Sequence, residues 1–188
     1  YAVSSPFRNK EYSMITVYSK DNGYYKIADN NSLAALKATH INHKHLKERG
    51  LLVSDTNIVD NIMYTKKVEG IALTELLMSA YIDGKEKEVY DIWDKIFYEI
   101  KRSSEESSKL NAIFNSSSDM ALSGFGENDK VLKNIYVDMI HKNCFVQENG
   151  DYVWIDQEWC LNDIPASFGL FYNIIELYSD NKNIEKYI

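Results

Sequence analysis

"YVDMIHKNCFVQENGDYVWIDQEW", residues 136–159, decides how the rest of the chain is read. It carries Asp138, then Asn143 five residues later, then Asp156 thirteen beyond that. Two apolar, β-prone runs, CFVQ and YVWI, flank ENGD, whose Asn149-Gly150 pair suits a tight hairpin turn. Such a hairpin returns Asp156, at the end of its second strand, toward Asn143 at the start of its first. Asp138 precedes that first strand closely enough to join them.

Two carboxylates and an amide oxygen are hard ligands of the kind that magnesium takes together with phosphate and water. A carboxylate kept off the metal can accept a proton from an attacking hydroxyl. Each residue also has an ordinary reading. Asp138 can cap a turn or pair with His141 or Lys142, Asn143 can open a strand, and Asp156 can be a surface acid at a strand end.

Working outward, the chain has 188 residues, 45% of them hydrophobic and 26% charged, enough for one domain or two small lobes and too apolar for global disorder. A net charge of -7 argues against a broad nucleic-acid surface. No apolar run approaches the roughly twenty residues of a membrane span. Cys144 and Cys160 read as buried, reduced thiols, and the expected location is the cytoplasm. A chain that opens on Tyr1 rather than Met can be an excised piece of a longer one.

The first seventy residues read as β-β-β-α-β-β. YAVSS is a short first strand, and EYSMITVYSK and YYKIA form a hairpin about Asn22-Gly23. The stretch from Ser32, a plausible N-cap, to Gly50 reads as a helix. TNIV and IMYTKKV pair across Asp60-Asn61. The second half reads as helical. ALTELLMSAY and 86–101 are helices, the latter from Val89, Ile92, Trp93, Ile96, Phe97 and Ile100 at three- and four-residue steps. Residues 103–129 read as a largely exposed, Ser-rich connection. KVLKNIY is expected to begin a helix and ASFGLFYNIIELY to be a buried one.

Asp-x4-Asn followed by an Asp at the end of a hairpin resembles the catalytic loop and metal-binding aspartate of the protein-kinase-like superfamily. IDQE, with an acid after the metal aspartate, looks more like its aminoglycoside-phosphotransferase and choline-kinase branch. The texture also resembles kinase-like domains associated with bacterial surface-polysaccharide transferases. The resemblance implies an α+β, two-lobed kinase-like fold, with a β lobe over 1–69 and a reduced, mainly helical lobe over 70–188 that carries the catalytic hairpin. It implies ATP and Mg2+ as cofactors and a small-molecule or glycan hydroxyl as acceptor, with other domains of a larger transferase as possible partners. Asp138 takes the catalytic-base position and Asn143 and Asp156 the magnesium positions. Lys26 takes the place of the lysine that pairs with nucleotide phosphates, and Lys67 and Val68 sit in the linker whose backbone would hold adenine.

The departures matter as much. Tyr136-Val137 replaces His-Arg before the catalytic Asp. SSPFRNKE, between the first two strands, has no glycine, so Ser4, Ser5, Arg8 and Lys10 are the groups left to hold phosphate, although loop cations are often simply solvated. The helix after Lys26 offers only Glu48 as an acid, in its last turn, and His40 is a possible substitute partner for the lysine. These losses support an alternative function, a pseudokinase serving as a nucleotide-binding or scaffold domain. Glu158 is suited equally to metal, substrate or a structural hydrogen bond. His40, His43 and His45 read as partly solvated imidazoles rather than a zinc site. Serine-hydrolase elbows and Walker loops are absent.

Overall fold

In the computed structural model the described residues are 2–3, 8–19, 23–112 and 129–180. The elements are β1 Ala2–Val3, β2 Ile15–Ser19, β3 Gly23–Ile27, α1 Leu33–Glu48, β4 Leu52–Val53, β5 Thr56–Val59, β6 Ile62–Thr65 and β7 Ile71–Ala72. There follow α2 Leu73–Ile82, α3 Glu86–Arg102, β8 Val131–Tyr136, β9 Cys144–Val146, β10 Tyr152–Trp154, β11 Cys160–Pro165 and α4 Ala166–Asp180. Short 3-10 turns stand at Lys10–Tyr12 and His141–Asn143. The chain divides into two compact units, Tyr1–Ile71 with Phe145–Glu158, and Ala72–Cys144 with Trp159–Ile188.

In the first unit an antiparallel sheet runs in the order β1-β2-β3-β6-β5. The two-residue period of a strand puts Tyr24 and Lys26 of β3 on its inner face, beside Thr65 and Met63 of β6. Met14, Ala28, Leu36 and Met63 form the core there, with Leu33, Ala35 and Ile58 packed against it. Helix α1 turns Leu36, Thr39, His43 and Leu46 inward at three- and four-residue steps. Ser32 precedes the helix as expected but makes no side-chain cap. Its N–H donates to Asp29 Oδ1, and its hydroxyl accepts from the Asp29 N–H. Gly50, at φ 78°, ends α1 in the left-handed conformation.

A second sheet has the order β4-β10-β9-β7, with β4 parallel to β10 and Trp154 fully buried within it. Strands β9 and β10 are neighbours in this sheet, as the hairpin reading expects. Gly70, at φ 142°, passes so close to β9 that an added Cβ would stand 2.5 Å from the Val146 carbonyl oxygen.

In the second unit the KVLKNIY helix is corrected. Residues 131–136 are strand β8, antiparallel to β11 from Cys160↔Tyr136 to Pro165↔Val131. Its other edge is also used. The Ser107 N–H donates to the Val131 carbonyl and the Lys133 N–H to the Glu105 carbonyl. A strand satisfied on both edges outweighs the three-residue spacing of Leu132 and Ile135 that suggests a helix. The connection after α3 is also less exposed than expected, because Ser103 and Ser104 are buried beside this pairing. Residues 113–128 of that connection lie outside the described residues, as do Ser4, Ser5 and Asn22.

Helix α4 is not buried all round. It packs Ala166, Gly169, Asn173 and Leu177 inward, while Phe171, Ile174, Ile175 and Tyr178 are exposed. Gly169 permits the close approach of Ile100 on α3, whose side chain would lie 3.2 Å from a Cβ at that position. Among the described residues no helix is long and apolar enough to cross a membrane.

Candidate active site

The first unit holds a charge cluster whose centre, Lys26 and Glu158, is buried. Strand β3 points Lys26 inward, where its side chain is 3% exposed. Its Nζ lies 2.5 Å from Asp156 Oδ1 and pairs also with Glu158 Oε1. The other oxygen of Glu158 accepts from Arg8 Nη1 at 2.5 Å. Two cations and two carboxylates thus balance within one cluster. Burial works against the charge on Lys26, but the fields of Asp156 and Glu158 outweigh it and hold the amine pKa above its ordinary value. The nearby Tyr24 phenol is pushed well up by burial and by the charge of Asp156.

Asp156 leaves β10 with φ 56°, the left-handed region that few non-glycine residues enter. Holding it there costs about 1–3 kcal/mol and persists only where the surroundings fix it. The turn that follows is closed by the Glu158 N–H, which donates to the Asp156 carbonyl at 3.1 Å. The turn brings both acids of IDQE back onto Lys26, with Gln157 fully buried between them.

Helix α1 grips Gln157 by its backbone. Asn42 Nδ2 donates to the Gln157 carbonyl at 2.9 Å, and the Gln157 N–H donates to His43 Nε2 at 3.2 Å. On the other side of the ring, His43 Nδ1 is 3.2 Å from the Ser54 carbonyl. A carbonyl can only accept and a backbone N–H can only donate, so the imidazole is neutral with its proton on Nδ1. Burial lowers the His43 pKa to about 4, with Lys47, Lys26 and His40 adding to the effect.

In the second unit Asp138 and Asn143 come together. Asn143 Nδ2 donates to the Asp138 carbonyl at 3.1 Å, and Asp138 Oδ2 accepts from the Trp159 N–H at 2.7 Å. Asn173 of α4 holds the intervening loop. It accepts from the His141 N–H at 2.9 Å and donates to the Met139 carbonyl at 2.7 Å. Asp138 is therefore a half-exposed carboxylate on a loop pinned from both ends.

Of the sequence candidates, Lys26, Asp156 and Arg8 meet in one unit, and Asp138 meets Asn143 in the other. Lys67 is exposed and pairs with Glu69 at 3.0 Å, and Val68 beside it is half-buried. Lys10 is exposed. His40 is not the substitute partner of Lys26, because its Nδ1 bonds Thr56 Oγ1 at 2.8 Å, and Glu48 faces Lys44 at the surface. His43 is 1% exposed and not a solvated imidazole. Among the described residues no group of three or more His, Cys, Asp or Glu is placed to hold a metal ion.

Sequence reasoning missed Asn42, His43 and Asn173, and gave Glu158 no definite role. His43 had one local signal, its seven- and three-residue spacing from Leu36 and Leu46 on the buried stripe.

No protein-family model and no curated protein sequence matches the chain. Among solved structures it is similar to an aminoglycoside phosphotransferase from Streptomyces rimosus, with a TM-score of 0.58 and 14% identity over 99% of this chain and 81% of that one. At that identity the likeness is one of fold, an α+β, protein-kinase-like arrangement of small β sheets and helices.

Proposed function

We propose that the protein transfers the γ-phosphoryl group of ATP to a hydroxyl of a small molecule or glycan. The observation that carries this reading is Lys26, buried, charged and paired with a left-handed Asp156, on a kinase-like fold. Buried charge pairs of this kind cluster at functional sites, and a buried ammonium group beside a carboxylate on this fold supports a phosphate-handling role.

Lys26 binds the α- and β-phosphates in this reading, Arg8 adds a second cation, and the backbone at Lys67 and Val68 holds the adenine. Asn143 and Asp156 would hold magnesium, and the donor chemistry of each fits. Asp156 is a carboxylate, and Asn143 commits its amide nitrogen to the Asp138 carbonyl, leaving the oxygen as its ligand atom. When bound, the metal neutralises phosphate charge. Asp138 orients the acceptor hydroxyl and takes its proton as the new O–P bond forms. The bond from the γ-phosphorus to the β-phosphate bridging oxygen breaks, and ADP leaves. Most of the acceleration comes from positioning and charge stabilisation.

Asp138→Asn is expected to keep nucleotide binding and to lose ATP turnover by about 10²-fold or more. Asp156→Ala is expected to lose magnesium-dependent binding as well. Normal turnover in both variants, followed as phosphate release or product formation, overturns the assignment. A second reading, the pseudokinase scaffold of a larger polysaccharide-modifying transferase, is favoured by one observation. No acid of α1 reaches Lys26, whose partners both come from the segment after β10.

A further inference from the structure

Lys26 has no counter-ion on helix α1, yet α1 is not uncoupled from it. The helix's only acid, Glu48, is exposed and faces Lys44 at 3.8 Å. Two of its buried side chains, Asn42 and His43, instead close on the peptide groups of Gln157, one on the carbonyl and one on the N–H. Asn42 Nδ2 also reaches toward the Glu158 carbonyl at 3.4 Å. The residues on either side of Gln157 are the two carboxylates that hold Lys26.

We infer that Asn42 and His43 are positioning residues, through which α1 sets the charge site by fixing the Gln157 backbone rather than by an ion pair of its own. The inference deepens the phosphotransfer reading and rests on it for the purpose of the site, but the mechanical link stands on contacts within one unit. Gln157 is fully buried, Asn42 is 8% exposed and His43 1%, so water does not compete for these bonds. Both backbone groups of one residue are held by consecutive residues of one helix. The N–H belongs to the 156–157 peptide and the carbonyl to the 157–158 peptide, so His43 fixes the plane that leaves Asp156 and Asn42 the plane that enters Glu158. Loss of either bond leaves a buried peptide group without its partner and frees its plane to rotate. Lys26 would then lose one or both carboxylates.

The test reads Lys26 directly. Wild type, Asn42→Asp, Asn42→Ala, His43→Gln and the surface control Glu48→Gln are treated with an amine-acylating reagent, and modification of Lys26 is followed by peptide mass spectrometry. Asn42→Asp replaces the donor with an acceptor facing the Gln157 carbonyl. It is expected to speed acylation of Lys26 about tenfold, with faster amide exchange at Gln157 and Glu158, while Glu48→Gln matches wild type. His43→Gln can restore an acceptor for the Gln157 N–H, so it is expected to fall between Asn42→Asp and wild type. If Asn42→Asp does not fold, Asn42→Ala and His43→Gln carry the comparison. Lys26 rates and Gln157 exchange within about twofold of wild type in the folded variants overturn the inference.

A parallel thermal-shift titration with Mg-ATP separates the two ideas. No shift in wild type removes the phosphotransfer reading and leaves the acylation result to decide the positioning role. A clear shift with unchanged Lys26 acylation removes only the positioning role.

Discussion

At the scale of single residues the site rests on buried polar groups whose partners are fixed. Lys26 could not stay charged in an apolar interior, where one unpaired ion costs several kcal/mol, and Asp156 and Glu158 offset that cost. His43 gives a prediction with a definite sign. Its folded pKa, about 4, lies below the roughly 6.5 of an unfolded histidine. Between those values the unfolded chain binds a proton that the folded chain does not. The His43 contribution to stability is therefore present above about pH 6.5 and is lost as pH falls toward 4, up to about 3 kcal/mol in all. Urea unfolding across that window should show the slope in wild type and a flatter one in His43→Gln. Equal slopes would mean that His43 is not the buried neutral group described. Lys26 and Asp156 were legible in the sequence because their spacing resembles a known pattern. Asn42, His43 and Asn173 were not, because each bonds to backbone atoms distant in the chain, which leave no residue pattern behind.

At the scale of elements, the longer elements of the first unit were legible because each carries its own signal. Strand β3 alternates, α1 ends on a glycine, and β5 and β6 meet at a polar turn. Strand β8 was misread because Leu132 and Ile135 fit a helical step, and only pairing with β11 and with residues 105–107 makes the segment extended. Strands of two residues, β4 and β7, carry too little pattern to be seen. Gly70 is where an element depends most on a missing side chain. At φ 142° an alanine is strained, and its Cβ would meet the Val146 carbonyl at 2.5 Å with only backbone to give way. Gly70→Ala should lower unfolding free energy by at least about 2 kcal/mol, seen as a fall in the urea midpoint. An unchanged midpoint would contradict the close packing of this turn against β9.

At the scale of the molecule, a strand-rich first seventy residues followed by the helices α2 and α3 was enough to read the fold class, although β8 to β11 return to strand before α4. The functional claim reduces to whether this fold binds magnesium nucleotide through Asp156. The most direct measurement is a thermal-shift titration of wild type and Asp156→Ala with ATP, with and without magnesium. Saturating Mg-ATP at about a hundred times its dissociation constant adds about 2.7 kcal/mol, a rise of roughly 5–10 °C for a chain of this size. That rise is expected in wild type, with its loss when magnesium is left out and its loss in Asp156→Ala. No rise in wild type, or an equal rise in Asp156→Ala, would contradict the claim.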